Sequence, residues 1–144
     1  MSKQILYFDA QIFNQILVKR ILQKEGHVAS CANDRECAWQ MALTSQPDLI
    51  LIDMHLETAK GGIHFTRALR RIAALQTCPI ILLTPPDDSA AEIEALSAGA
   101  NGFIYKPASI RELQTAFRTL LNRAEPAPVR RPVGAPAYAY ATLA

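Results

Sequence analysis

At 144 residues, half of them hydrophobic and 19% charged, the chain has the size of one ordinary domain and the balance of a folded rather than a disordered protein. A formal net charge of +2 excludes the basic footprint expected of a nucleic-acid or anionic-membrane partner. No apolar run approaches the roughly twenty residues that span a bilayer, and the N-terminus, MSKQILYFDAQ, turns polar too soon for a secretory leader. A soluble cytoplasmic protein is therefore expected, with Cys31, Cys37 and Cys78 as reduced thiols lacking metal-ligand spacing.

Short apolar runs alternate with longer amphipathic ones. Ile5–Phe8 predicts a first strand, and Leu17, Val18, Ile21 and Leu22 then share one helical face that Gly26 stops. His27–Cys31 predicts a second strand, followed by a helix from Asn33 or Asp34 that presents Ala38, Met41 and Ala42 and ends before Pro47. Leu49–Ile52 is a third strand; the helix after Gly61 and Gly62 repeats Phe65, Leu69 and Ile72. Ile80–Leu83 leads to a helix from Asp88 and Ser89 that carries Ile93 and Leu96 and closes at Gly99. Gly102–Tyr105 leads to a last helix, opened by a capping box from Ser109 to Glu112, that buries Leu113, Phe117 and Leu120.

Five strand–helix units in succession imply a parallel sheet covered by helices on both faces, with chemistry at the carboxyl ends of the strands. After Arg123 the pattern stops. Residues 124–144 hold Pro126, Pro128, Pro132 and Pro136 among alanines and read as a linker or tail beyond a domain of residues 1–123. Within it Tyr138 and Tyr140 alternate with alanines, a pattern able to pack on a neighbour or to add a strand.

Asp9, Asp53, Thr84 and Lys106 each follow an apolar run directly, so the topology gathers two carboxylates, a hydroxyl and a cation at one sheet edge. Any one of them alone is better read as a cap, a turn former or a solvated charge. Together they suit phosphoryl transfer to a carboxylate, which needs a nucleophile, fixed positive charge and a hydroxyl donor. His27, His55 and His64 have no ligand spacing and read as surface or structural residues, and Trp39 as a packing residue.

The stretches ILYFD, DLILIDMHL and TPPDDSAAEIEALSAGANGFIYKPAS resemble the receiver domain of two-component response regulators, over residues 3 to about 123. The resemblance implies a flavodoxin-like, doubly wound (βα)5 fold with strand order 2-1-3-4-5. It implies phosphorylation of Asp53 by a histidine kinase or phosphotransfer protein, with no enzymatic activity beyond assisting that step and its reversal. It implies Mg²⁺ held by Asp9, Asp53 and the backbone carbonyl of His55. Lys106 and Thr84 would contact the phosphoryl group, Phe103 would be the aromatic that changes rotamer, and the Lys106–Pro107 bond would be cis. Output would pass to a downstream protein through the face of the fourth helix, fifth strand and fifth helix, and a homodimer is a further possible partner.

The sequence also departs from that family's pattern. The second acidic residue after the first strand is Ala10, so one metal-ligating carboxylate is missing and the site is expected to bind Mg²⁺ weakly unless Glu57 swings in. The loop after Asp53 reads Leu56-Glu57 and is one residue longer, and Pro85 and Pro86 follow the switch threonine. These features motivate a second reading, a degenerate receiver that binds its partner regardless of phosphate. A haloacid-dehalogenase-like phosphatase would want an Asp where His55 stands, and an FMN binder would want a phosphate loop where DAQIFNQ stands.

Overall fold

The computed structural model describes residues 2–85, 88–106, 110–121 and 138–140. Its elements run β1 (Gln4–Phe8), α1 (Ile12–Lys24), β2 (Val28–Ala32), α2 (Arg35–Ser45), β3 (Leu49–Asp53), α3 (Gly61–Leu69), β4 (Ile80–Thr84), α4 (Ser89–Ala98), β5 (Gly102–Tyr105), α5 (Ile110–Leu121) and β6 (Tyr138–Tyr140). Each of the first five strands lies within one residue of its sequence expectation. The reason is visible in the burial: β3 and β4 are covered along their whole length, so their apolar runs are nearly continuous rather than alternating.

The sheet order is β2-β1-β3-β4-β5-β6. The first five strands are parallel, as the doubly wound expectation requires. β6 adds to the free edge of β5 in the antiparallel sense, with Ala139 opposite Phe103. The remainder of the 124–144 segment, together with Pro86, Pro107 and Ser109, lies outside the described residues, and with them the cis bond and the Ser109 cap.

Two cores flank the sheet. One packs Phe8, Ile52, Phe65, Leu82 and Phe103 beneath α2, α3 and α4. The other packs Tyr7, Leu22, Leu51, Ile104 and Phe117 beneath α1 and α5. Asp34 caps α2 by accepting from the Cys37 amide (2.7 Å), and Asp88 caps α4 by accepting from Ala91 (3.1 Å), each satisfying an amide that has no partner within its helix.

The structure corrects the expected apolar stripe of α4. Ile93 is 66% exposed, whereas Ala91, Ala95 and Ala98 are the buried residues. The small side chains face the first core, with Leu96 of the expected stripe partly buried against it, and the larger isoleucine falls on the solvent side. Ile72 likewise lies beyond α3, in the turn leading to a short 3₁₀ segment at Ala73–Leu75, yet packs partly buried against the first core.

Candidate functional site

The strand register sets the pocket. β1 and β3 pair Phe8 with Ile52, so the residues that follow, Asp9 and Asp53, stand side by side at the carboxyl end of the sheet. Asp53 pairs with Leu83 and Thr84 with Tyr105, which brings Thr84 and Lys106 to the same end. Asp9, Asp53 and Thr84 are all buried.

Lys106 Nζ lies 2.8 Å from Asp53 Oδ1, and the same oxygen accepts the His55 amide at 3.0 Å. Asp53 Oδ2 accepts no hydrogen bond from the described residues. The lysine is partly solvated and the carboxylate nearly enclosed, so the pair is a charge-assisted bond at the mouth of the sheet rather than a fully buried one.

Asp9 is held differently. Its Oδ2 accepts from the Tyr7 hydroxyl and from Asn14 Nδ2 (3.2 Å), and its Oδ1 accepts from the Gln11 amide (2.8 Å). Gln15 Nε2 donates to the Asp9 carbonyl and, at 3.3 Å, to that of Ala32. Burial first, and then the Asp9 carboxylate beside it, hold the Tyr7 phenol well above its usual pKa. It is therefore a fixed proton donor. These partners were absent from the sequence reading. The available signal was the period of two along β1, which puts Tyr7 and Asp9 on one face, but a tyrosine inside an apolar strand reads first as core.

The loop after β3 closes tightly on the helix that follows. The Gly62 amide donates to the Met54 carbonyl at 2.8 Å, and a Cβ at Gly62 would sit 2.5 Å from the Asp53 carbonyl oxygen, so only glycine fits. Glu57 has φ 64° and Thr58 N–H donates to the Leu56 carbonyl at 2.6 Å, a tight turn with a strained centre. The Glu57 carboxylate is 3.7 Å from Arg35 and exposed.

Thr84 Oγ1 has Met54 Sδ at 3.2 Å and the Pro85 carbonyl at 3.3 Å. Phe103 is fully buried, with its ring 6.3 Å from that of Tyr105. The Tyr105 hydroxyl donates to Glu92 Oε1 on α4 at 2.8 Å, which ties β5 to α4.

No group of three or more His, Cys, Asp or Glu residues able to hold a metal occurs among the described residues. The oxygen donors that remain, the carboxylates of Asp9 and Asp53 and the carbonyl of His55, are of the hard type that suits Mg²⁺, an ion usually held by one or two carboxylates and completed by water. The residues present fit the ion.

A doubly wound parallel sheet whose strand ends gather two carboxylates, a hydroxyl and a lysine defines a class of α/β signalling domain. The chain belongs to the response regulator receiver domain family, which matches residues 5–118, and it is a receiver domain of a two-component system. It is 30% identical over 140 residues to the alkaline phosphatase synthesis transcriptional regulatory protein SphR of Synechococcus elongatus, covering 91% of this chain and 53% of that protein. It is also 30% identical over 132 residues to the phosphate regulon transcriptional regulatory protein PhoB of Pseudomonas aeruginosa, covering 92% and 57%. The chain thus spans about half the length of the curated relatives it matches. The chemotaxis response regulator CheY4 of Vibrio cholerae has the same fold, with a TM-score of 0.77 at 24% identity over 83% of this chain and 99% of that one. No described helix is long and apolar enough to cross a membrane.

Proposed function

We propose that this receiver takes a phosphoryl group on Asp53 from a histidine kinase or phosphotransfer protein and signals by protein contact, with residues 1–123 as the receiver unit and 124–144 as an appended segment. The observation that carries this reading is the 2.8 Å pairing of Lys106 Nζ with Asp53 Oδ1. It places a fixed cation on the carboxylate that is to become an acyl phosphate, where negative charge spreads over the transferred group.

In the transfer a carboxylate oxygen of Asp53 bonds to phosphorus while the bond to the donor nitrogen breaks, and the electron pair leaves with the imidazole. Asp9, Asp53 and the His55 carbonyl would hold Mg²⁺, which when bound neutralises phosphoryl charge. Lys106 follows the phosphoryl oxygens, and Thr84 supplies a hydroxyl once it turns from Met54 and Pro85. Phe103 then reports the position of Thr84 toward α4 and α5.

Two exposed apolar patches suit protein partners. Ile12, Phe13 and Ile16 of α1 are 62%, 77% and 55% exposed on the helix that begins beside Asp9, and fit a donor that must approach Asp53. Ile93 of α4 and Ile110 of α5 are 66% and 54% exposed on the face proposed for output or for pairing with a second copy.

A second reading, a receiver that acts regardless of phosphate, is favoured by the engagement of both Asp9 oxygens by protein donors in a pocket with Ala10 as neighbour. Intact-mass measurement after incubation with acetyl phosphate and Mg²⁺ separates the two. One phosphoryl adduct that disappears in Asp53→Asn supports the first reading. No adduct, or an adduct that persists in the variant, overturns it.

A further inference from the structure

The Asp9 carboxylate is committed before any cation arrives. Oδ2 carries two donors, the Tyr7 hydroxyl and Asn14 Nδ2, and Oδ1 carries the Gln11 amide. A carboxylate offers about four lone-pair directions, so most of the capacity of Asp9 is already taken. Position 10, next to it, is alanine, and of the Asp53 oxygens Oδ1 is shared between Lys106 and the His55 amide, which leaves Oδ2 as the oxygen open to an ion among the described contacts.

Tyr7 stands out among these donors because the protein cannot release it cheaply. Its side chain is fully buried on the same face of β1 as Asp9, in the core beneath α1 and α5. A buried hydroxyl needs a partner, and turning away from Asp9 would trade a carboxylate acceptor for a cavity lined mainly by apolar residues such as Val18, Leu83 and Ile104, with Asn14 and Lys106 as its polar ones. Asn14 is half-buried and its amide also donates to Gln11 Oε1 at 2.9 Å, so it keeps a partner if it leaves Asp9. The phenol bond to Asp9 is thus the one that persists when an ion approaches, and it draws charge density away from the carboxylate the ion needs.

We propose that Tyr7 is a positioning residue that holds the Asp9 carboxylate and sets, downward, the affinity of the pocket for a divalent cation. The proposal rests on the reading of the pocket as a phosphoacceptor site and goes further, since it assigns a role to a residue outside the set of Asp9, Asp53, Thr84 and Lys106. Hydrogen-bonding partners of metal ligands often raise affinity by orienting them. Here the sign is opposite, because Asp9 is independently oriented by the Gln11 amide and loses ligand strength to the phenol.

The test is a Mg²⁺ titration of the full chain and of Tyr7→Phe, followed by amide NMR shifts of residues 9–11 and 53–55. The variant removes one oxygen and keeps the packing ring, and an unchanged amide spectrum elsewhere verifies its fold. Tyr7→Phe is expected to bind Mg²⁺ about tenfold more tightly. In an Asp9→Asn background the same substitution should change nothing, because the bond it removes no longer bears on a carboxylate. Binding by the wild-type chain with no gain, or with a loss, in Tyr7→Phe overturns the role of Tyr7 and leaves the phosphoacceptor reading standing. A gain that survives in Asp9→Asn also overturns it. No binding by either chain, together with no acetyl-phosphate adduct, overturns both.

Discussion

Arg70 Nη2 donates to Asn101 Oδ1 at 2.7 Å, and that same oxygen accepts the Ile80 amide at 2.9 Å. The guanidinium also donates to the carbonyls of Leu75 and Cys78 at 2.6 Å each and to Gly99 at 2.9 Å. One side chain at the end of α3 therefore fixes the segments that lead into β4 and β5, the two strands that deliver Thr84 and Lys106 to the pocket. Arg70→Ala would leave carbonyls without donors in a half-buried position. The expected loss is about 2–3 kcal/mol in urea unfolding. Arg70→Lys should recover little of it, since an ammonium cannot span four acceptors as a planar fork does.

Restoring an acid beside Asp9 should strengthen the cation site. Ala10→Asp adds a charged oxygen ligand where the chain has none, which is worth about 1–3 kcal/mol, or roughly ten- to hundredfold in Mg²⁺ affinity. Phosphorylation by acetyl phosphate should accelerate in parallel, as followed by intact mass over time. If neither quantity changes, position 10 does not face the cation.

Activation should be visible at a distance from Asp53. Thr84 Oγ1 sits against Met54 Sδ and the Pro85 carbonyl, so reaching a phosphoryl oxygen requires it to turn from them. Addition of beryllofluoride, a phosphoryl mimic, with Mg²⁺ is expected to shift amides across residues 84–115 as a two-state element is biased. Shifts confined to the strand ends would show that the pocket fills without switching.

Stability should fall in mild acid through His27. Its Nδ1 accepts the Lys3 amide at 3.0 Å, and burial holds its pKa below the usual value, with the N-terminal charge adding to the effect. The unfolded chain therefore binds the proton more readily than the folded one, and stability rises with pH through that window. The contribution is complete above the unfolded histidine value of about 6.5 and is lost as pH falls from there toward the depressed folded value. Replacing His27 with Gln should flatten the urea midpoint against pH between about 5 and 7.

The positions of the strands and of the four polar residues were legible in the sequence because strands covered on both faces leave unbroken apolar runs. The register then follows from topology. Asp9 and Asp53 had to meet once β1 and β3 were neighbours, and the Asp53–Lys106 contact lies where the strand ends predict it. The face of α4 was not legible, because alanine carries too little hydrophobic weight to outvote Ile93, although the small residues are the ones that pack. The hydroxyl of Tyr7 was invisible for a related reason: period-two patterning reports which way a side chain points, not which polar atom it reaches at its tip. Arg70 was likewise hidden, since its acceptors are backbone carbonyls and an asparagine as far as 31 residues away in sequence.

Along any strand successive N–H groups point to opposite edges. In β5 this means that one set of amides is locked by β4, inside the parallel sheet, and the alternate set faces β6, three residues long and reached through a proline-rich stretch. A piece so short opens far more often than the sheet does. Hydrogen exchange should therefore split a single strand into two populations, a slow one governed by global unfolding and a fast one governed by lifting of β6. Phe103, proposed to relay the state of the phosphate pocket, sits on that same strand opposite Ala139, so the rate at which its edge opens to solvent is set by β6.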